Sequence, residues 1–277
     1  MAKETIATVV AGARTKANLL ARSPLQYLVL SALAGAYVGF GIILILSIGA
    51  PLAAAGSPAV KVVMGASFGV ALALVIFAGS ELFTGNNMVM TIGSLAREVS
   101  WGQTLGVWAA SWAGNLAGSL LLALVAVKTG LVGKAPFKDF LATAALAKMN
   151  APFGELFYRG LLCNVLVCLA VWTALRAKDD MAKLAMIFWC LFAFIGAGFE
   201  HSVANMTLLG MSLLAPHGAG LTWGGFVHNL VPVTLGNIVG GAVVIGASYY
   251  FVAAGENRLE AGEEVAGRSA ERFREVA

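Results

Sequence analysis

The chain has 277 residues, of which 59% are hydrophobic and only 12% charged, with a mean hydropathy of +0.85 and a formal net charge of +4. Soluble domains give about a quarter of their residues to charge, so a soluble globular protein is excluded and a lipid bilayer is the expected solvent. Nucleic acid is not an expected partner either, because the basic residues sit at segment ends rather than in a stripe interleaved with aromatics.

From the N-terminus, residues 1–24 carry charges throughout and lack the compact apolar core of a signal peptide. Ile6, Val9, Val10, Ala13, Ala17 and Leu20 recur at helical spacing opposite Lys3, Arg14 and Lys16, the pattern of an amphipathic helix resting on a membrane surface. Six apolar units follow at 25–48, 62–96, 104–127, 156–175, 184–215 and 226–253, separated by connectors rich in Gly, Pro, Ser or charge. Leu25 to Ile48, Val62 to Ser80 and Thr104 to Val127 contain no charged residue. Each is long enough for about 30 Å of hydrocarbon, which takes roughly 20 helical residues. The expected fold is an all-α membrane protein with six transmembrane helices over 25–253, followed by a charged tail over 254–277 that is helical and solvated or disordered. An even number of spans puts both termini on one side. With the termini inside, that side holds 12 Lys and Arg residues against 6 outside, so the positive-inside rule makes it cytoplasmic.

Units two and five are anomalous. At 35 and 32 residues they would run about 48–52 Å as straight helices, far more than the hydrocarbon needs. Both also carry polar clusters in the middle, GSELFTGNNM at 79–88 and FEHSVANM at 199–206. Two half-helices joined by irregular backbone account for both facts, provided the irregular backbone is buried in protein or lines a cavity.

An internal repeat supports this reading. Glu81 and Asn86 stand five apart, as do Glu200 and Asn205, and GNLAGS at 114–119 matches GNIVGG at 236–241 with Asn115 over Asn237. The repeated unit is three spans long, so the second copy starts on the opposite face and the copies are inverted, a layout in which substrates cross near the midplane. Residues shared by the copies, Glu81 with Glu200 and Asn86 with Asn205, are expected to support the backbone groups freed where the helices stop, with the carboxylates bonded to backbone amides or turned to the interior. Residues that differ mark the conducting face: Leu82 stands against His201, and Thr84 against Val203. An ionisable side chain inside a membrane is a functional candidate. Exposed amides at half-helix N-termini suit a small anion, to which His201 can donate a proton or which a charged ring can hold. Phe68, Leu72, Phe83, Phe194 and Phe199 lie close enough to gate such a path, and ordinary helix packing is the competing account. His217 and His228, near the loop before the last span, are expected in solvated or interfacial roles. Cys163, Cys168 and Cys190 lie inside apolar stretches with no spacing suited to zinc or iron–sulfur ligation, so no metal or cofactor is expected and the thiols are small buried hydrophobes.

The stretches YVGFGIILI (37–45), AGSELFTG (78–85), GNLAGS (114–119), RGLLCNVLVCLAVW (159–172), GFEHSVANMTL (198–208) and VTLGNIVGG (233–241) together resemble the formate/nitrite transporter family from about Leu19 to Gly255. The resemblance implies an aquaporin-like six-helix protomer in a homopentamer of the bacterial inner membrane, with one pore per protomer and no enzymatic activity. It carries the family's pore centre onto Thr84, His201, Asn164 and Asn237. Its hydrophobic constrictions fall on Phe68, Leu72 and Phe83 on one side and on Phe194 and Phe199 on the other. Lys148 matches a lysine that attracts the anion at the periplasmic mouth, and Glu200 and Asn205 match residues that support the histidine. SELFTG and HNL-x-x-VTLGN resemble the nitrite branch, with Gly85, Asn86 and Asn87 favouring nitrite over formate or hydrosulfide.

Two rivals fit less well. A neutral-solute pore of aquaporin type is opposed by the lack of any Asn-Pro pair, and a redox-enzyme subunit by the lack of a histidine facing His201 at comparable depth.

Overall fold

The computed structural model describes residues 2–255, and these contain helices and no strand. The expected tail therefore lies, from residue 256 onward, outside the described residues. In chain order the helices are α1 (Ala2–Arg22), α2 (Pro24–Ala54), α3 (Val60–Ser67), α4 (Gly69–Phe77), α5 (Phe83–Leu95), α6 (Trp101–Lys128), α7 (Phe137–Asn150), α8 (Phe153–Arg176), α9 (Asp180–Ala197), α10 (Ser202–Leu214) and α11 (Trp223–Ile238). A π-helical stretch, Val239–Ala247, continues α11. Six stretches are long and apolar enough to cross a membrane: α2, α3 with α4, α6, α8, α9, and α11 with its continuation to Gly255.

Local chemistry sets the boundaries. Pro24 occupies the first turn of α2, where its missing N–H costs nothing. Ser100 and Gln103 cap the start of α6 reciprocally. Asp179 caps α9, which ends at Gly198 in the left-handed conformation (φ 76°).

Within each half of the chain, the first and third spans meet at backbone contact. A Cβ on Gly118 would collide with the carbonyl of Ala32, and one on Gly35 with that of Asn115, so α2 and α6 touch along their glycines. In α8 and α11, Gly236 and Gly240 meet the carbonyls of Phe157 and Leu161 in the same way. The matched motifs GNLAGS and GNIVGG thus supply a small-residue stripe at four-residue spacing in both copies, as close helix contact in a membrane requires.

The second and fifth units are interrupted, at 78–82 and 198–201. The half-helices beyond the breaks, α5 and α10, have 13 residues each and are buried along nearly their whole length. They are enclosed by the other spans, which explains why these units exceed one bilayer thickness. One element was not expected. The connector between the third and fourth spans holds α7, whose Phe137, Leu141, Ala145 and Met149 form a buried stripe at four-residue spacing. It precedes α8 as α1 precedes α2, so each copy comprises an amphipathic helix and three spans.

Candidate functional site

At both breaks one asparagine satisfies the severed backbone. Asn115 Oδ1 accepts from the Phe83 N–H at 2.9 Å, and its Nδ2 donates to the carbonyls of Glu81 (2.9 Å) and Ser31 (2.7 Å). Asn237 Oδ1 accepts from the Ser202 N–H at 2.9 Å, and its Nδ2 donates to the carbonyls of Glu200 (3.1 Å) and Gly160 (2.7 Å). The N–H groups of Glu81 and Glu200 are taken up by the carbonyls of Leu30 and Arg159. The freed backbone is therefore served by the third span of each copy through its asparagine and by the first span through a backbone carbonyl. The side chains of Glu81, Asn86, Glu200 and Asn205, expected in that role, do something else.

Both carboxylates are buried and paired with lysines. Lys16 of α1 reaches both oxygens of Glu81 at 2.8 Å, and Lys148 of α7 reaches those of Glu200 at 2.7 and 2.8 Å. Asn86 and Asn205 each donate to the glutamate five residues earlier, at 3.0 and 2.6 Å. Lys148 is thus joined to Glu200, and Lys16 is its counterpart at the other break. The sequence placed Lys16 on the polar face of the N-terminal helix and among the topology charges, with no partner assigned to it. Its place in the C-terminal half of an amphipathic helix that precedes the first span of its copy, as Lys148 is placed in α7, was the available signal. Burial of such pairs makes each partner depend on the other, because removing one strands a charge.

Thr84 and His201 meet between the breaks. Thr84 Oγ1 lies 3.2 Å from His201 Nε2, and both residues are buried. His201 is also the N-cap of α10, with Nδ1 accepting from the Ala204 N–H at 3.2 Å. An acceptor at Nδ1 assigns the proton of a neutral ring to Nε2, so Nε2 donates to Thr84 and leaves the threonine hydroxyl hydrogen to be donated elsewhere.

Three spaces lie in succession on the His201 side of this pair, and Thr84 itself lines none of them. One vestibule of about 320 Å³ lies beneath α1 and is lined by Lys16, Glu81, Asn86, Leu72 and Leu82. A second, of about 160 Å³, lies beside α7 and is lined by Lys148, Glu200, Asn205, Phe194, Phe199 and His201. Between them is a space of about 10 Å³ bounded by Phe68, Leu72, Leu82, Phe194 and His201. It shares Leu72 and Leu82 with the first vestibule and Phe194 and His201 with the second. Phe194 packs edge-on to Phe68 at 5.5 Å and lies over the His201 ring at 6.1 Å.

Several expected site residues stand elsewhere. Phe83 borders none of these spaces: it opens α5, and the preceding Leu82, in extended conformation (φ −94°, ψ 123°), faces the path instead. Asn164 and Asn237 stand one layer behind it. Asn164 Nδ2 donates to the carbonyls of Asn237 (2.6 Å) and Thr84 (3.1 Å) and approaches Asn87 Oδ1 at 3.2 Å. His217 and His228 are exposed, His228 donating to the Ala151 carbonyl from Nε2. The three cysteines are buried free thiols.

A family model described as formate/nitrite transporter matches residues 3–251. The chain belongs to this family. Among formate/nitrite transporters it is 46% identical over 259 residues to the nitrite transporter NirC of Escherichia coli, covering 93% of this chain and 95% of that protein. A solved FNT family ion channel matches with a TM-score of 0.85 at 46% identity, over 90% of this chain and 98% of its own. A pentameric formate channel with formate bound matches with a TM-score of 0.70 at 28% identity, over 82% and 96%. As a formate/nitrite transporter the chain is a multi-pass membrane transport protein.

Proposed function

We propose that this chain conducts small monovalent anions, nitrite foremost, through a pore in each protomer of a homopentamer in the bacterial inner membrane, with both termini cytoplasmic. The observation that carries the reading is a narrow space lined by His201 that shares residues with a lysine-bearing vestibule on each side. The resemblance to NirC supports nitrite, and the likeness to a pentameric formate channel supports the assembly and a tolerance for formate. Hydrosulfide is a further candidate of similar size and charge.

Lys16 and Lys148 draw an anion into either mouth. The central space, at about 10 Å³, is at the lower limit for a single water. An anion passing Leu72, Leu82, Phe68 and Phe194 therefore sheds its hydration and meets an apolar wall, where charge is costly. Crossing as the neutral acid avoids that cost. Of the pair, His201 lines that space and Thr84 stands behind it, 3.2 Å from Nε2, so a proton would reach the anion through the ring. A second proton on His201 would sit on Nδ1 and displace the cap on Ala204, so a relay through the ring alternates capped neutral and uncapped charged states.

Proteoliposome flux of nitrite, formate and hydrosulfide across a pH gradient, for wild type and His201→Asn, tests both parts. The wild type is expected to carry nitrite with flux that rises on acidification, and the variant to lose that dependence. Unchanged pH dependence in the variant overturns the relay, and absence of flux for all three anions overturns the transport assignment.

A further inference from the structure

The two lysine–glutamate pairs look alike, yet a third group distinguishes them. Tyr27 lies in the first turn of α2 and is fully buried. Its hydroxyl donates to Glu81 Oε2 at 3.2 Å and accepts from Asn86 Nδ2 at 3.0 Å. Glu81 thus holds two neutral donors, Tyr27 and Asn86, besides the ammonium of Lys16. At the α7 mouth Glu200 has one neutral donor, Asn205, beside Lys148. There the additional group is Asn229, which accepts from Asn205 at 2.8 Å and donates to the backbone carbonyl of Lys148 at 3.1 Å. The spare hydrogen bond therefore serves the carboxylate at one mouth and the lysine's own helix at the other. Leu30 and Arg159 play the same part at the two breaks, and by that correspondence Tyr27 aligns with Leu156, a buried residue with no polar atom in its side chain.

We infer that Tyr27 is a positioning residue for the α1 mouth: its hydroxyl stabilises Glu81 when Lys16 turns from the carboxylate toward an incoming anion. A buried carboxylate left by its cation keeps its charge only if other donors remain. Tyr27 provides such a donor at one mouth and nothing equivalent does at the other, so Lys16 is the more readily released lysine. This inference rests on the reading that the lysines contact the transported anion.

The test is nitrite flux in proteoliposomes sorted by orientation of an N-terminal tag, at equal pH on both sides and no membrane potential. Tyr27→Phe keeps the ring and removes one hydrogen bond, so the half-saturating nitrite concentration from the α1 face is expected to rise about 2- to 10-fold, and that from the α7 face to stay unchanged. Detailed balance keeps Vmax/KM equal for the two directions, so the rise in KM from the α1 face is matched by a rise in Vmax from that face or by a fall in Vmax from the α7 face. A ring-fluorinated tyrosine at position 27, with the same shape and a stronger O–H donor, is expected to shift the α1-face value the opposite way, and it serves equally if the phenylalanine variant fails to assemble. In a Lys16→Gln background Tyr27→Phe should add nothing. Equal shifts at both faces, or none at either while Lys16→Gln alone raises the α1-face value, overturn the inference. If Lys16→Gln itself leaves nitrite kinetics from that face unchanged, the underlying reading of the lysines fails instead.

Discussion

Asn115 and Asn237 make the same set of backbone hydrogen bonds at the two helix breaks, each accepting from the first amide of a half-helix and donating to two carbonyls. Both asparagines are fully buried, so a group deprived of its asparagine is left without a partner and away from solvent.

Replacing either asparagine by leucine should therefore lower stability sharply. An unsatisfied buried group costs about 1–3 kcal/mol, and three groups lose a partner at each break. We expect Asn115→Leu and Asn237→Leu to lose several kcal/mol, visible as a large drop in melting temperature of the detergent-solubilised protein. A melting temperature within a few degrees of wild type for Asn115→Leu would refute the backbone role.

The glycine contacts give a second, graded expectation. Gly118→Ala and Gly240→Ala must push α6 from α2 and α11 from α8, because backbone carbonyls already occupy the space of a Cβ. Overpacking of this kind costs about 1–3 kcal/mol or more. Gly12→Ala, with nothing within 4 Å of the added atom, should instead be neutral or stabilise α1 by up to about 1 kcal/mol. Thermal melts of the three variants side by side check the order.

The ion pair at the α7 mouth predicts non-additivity. Lys148→Met leaves Glu200 buried without its cation, and breaking a buried pair in this way costs about 3–5 kcal/mol. Combining it with Glu200→Gln removes the stranded charge, so the double variant should melt above Lys148→Met while nitrite flux remains low in both. Equal melting temperatures for the single and double variants would show that Glu200 carries no stranded-charge penalty once Lys148 is gone.

Asn87 offers the opposite case. Its Nδ2 is buried with no hydrogen-bond partner, which is a standing cost to the fold, while its Oδ1 takes one weak bond from Asn164. Asn87→Leu is accordingly expected to change stability by no more than about 1 kcal/mol in either direction. Chemical denaturation in mixed micelles measures this directly.

Much of the architecture was legible in the residues. The six spans follow from uncharged runs of bilayer length, and the breaks from two runs too long and polar in the middle. The positions at which the two copies differ single out Thr84 and His201, and these stand 3.2 Å apart. What escaped was set by distance or by local dihedrals. Tyr27 lies 54 residues from Glu81 in the chain, and nothing in the sequence around it announces a carboxylate. The exchange of Phe83 for Leu82 on the path is a one-residue matter decided by where α5 begins, and helix starts are not fixed to one residue by periodicity. The helix α7 was hidden by its charged neighbours, although Phe137, Leu141, Ala145 and Met149 spell out its buried face.

The glycine-lined contacts of α2 with α6 and of α8 with α11 have a mechanical side. Backbones already touching can neither approach nor slide without breaking contact along their length, so these two pairs act as fixed posts. Leu72 and Phe194 belong to α4 and α9, which lie outside the posts, and Phe68 sits at the junction of α3 and α4. Gly65 of α3 sits tightly on α9, the Phe192 carbonyl being 3.1 Å from where its Cβ would stand, whereas Gly69 of α4 meets α9 at Phe188 at ordinary van der Waals separation. On the proposed reading, the give that admits the neutral acid to a space of about 10 Å³ falls to the α4 end of one seam, between the second span and the fifth, while the frame around it holds its width.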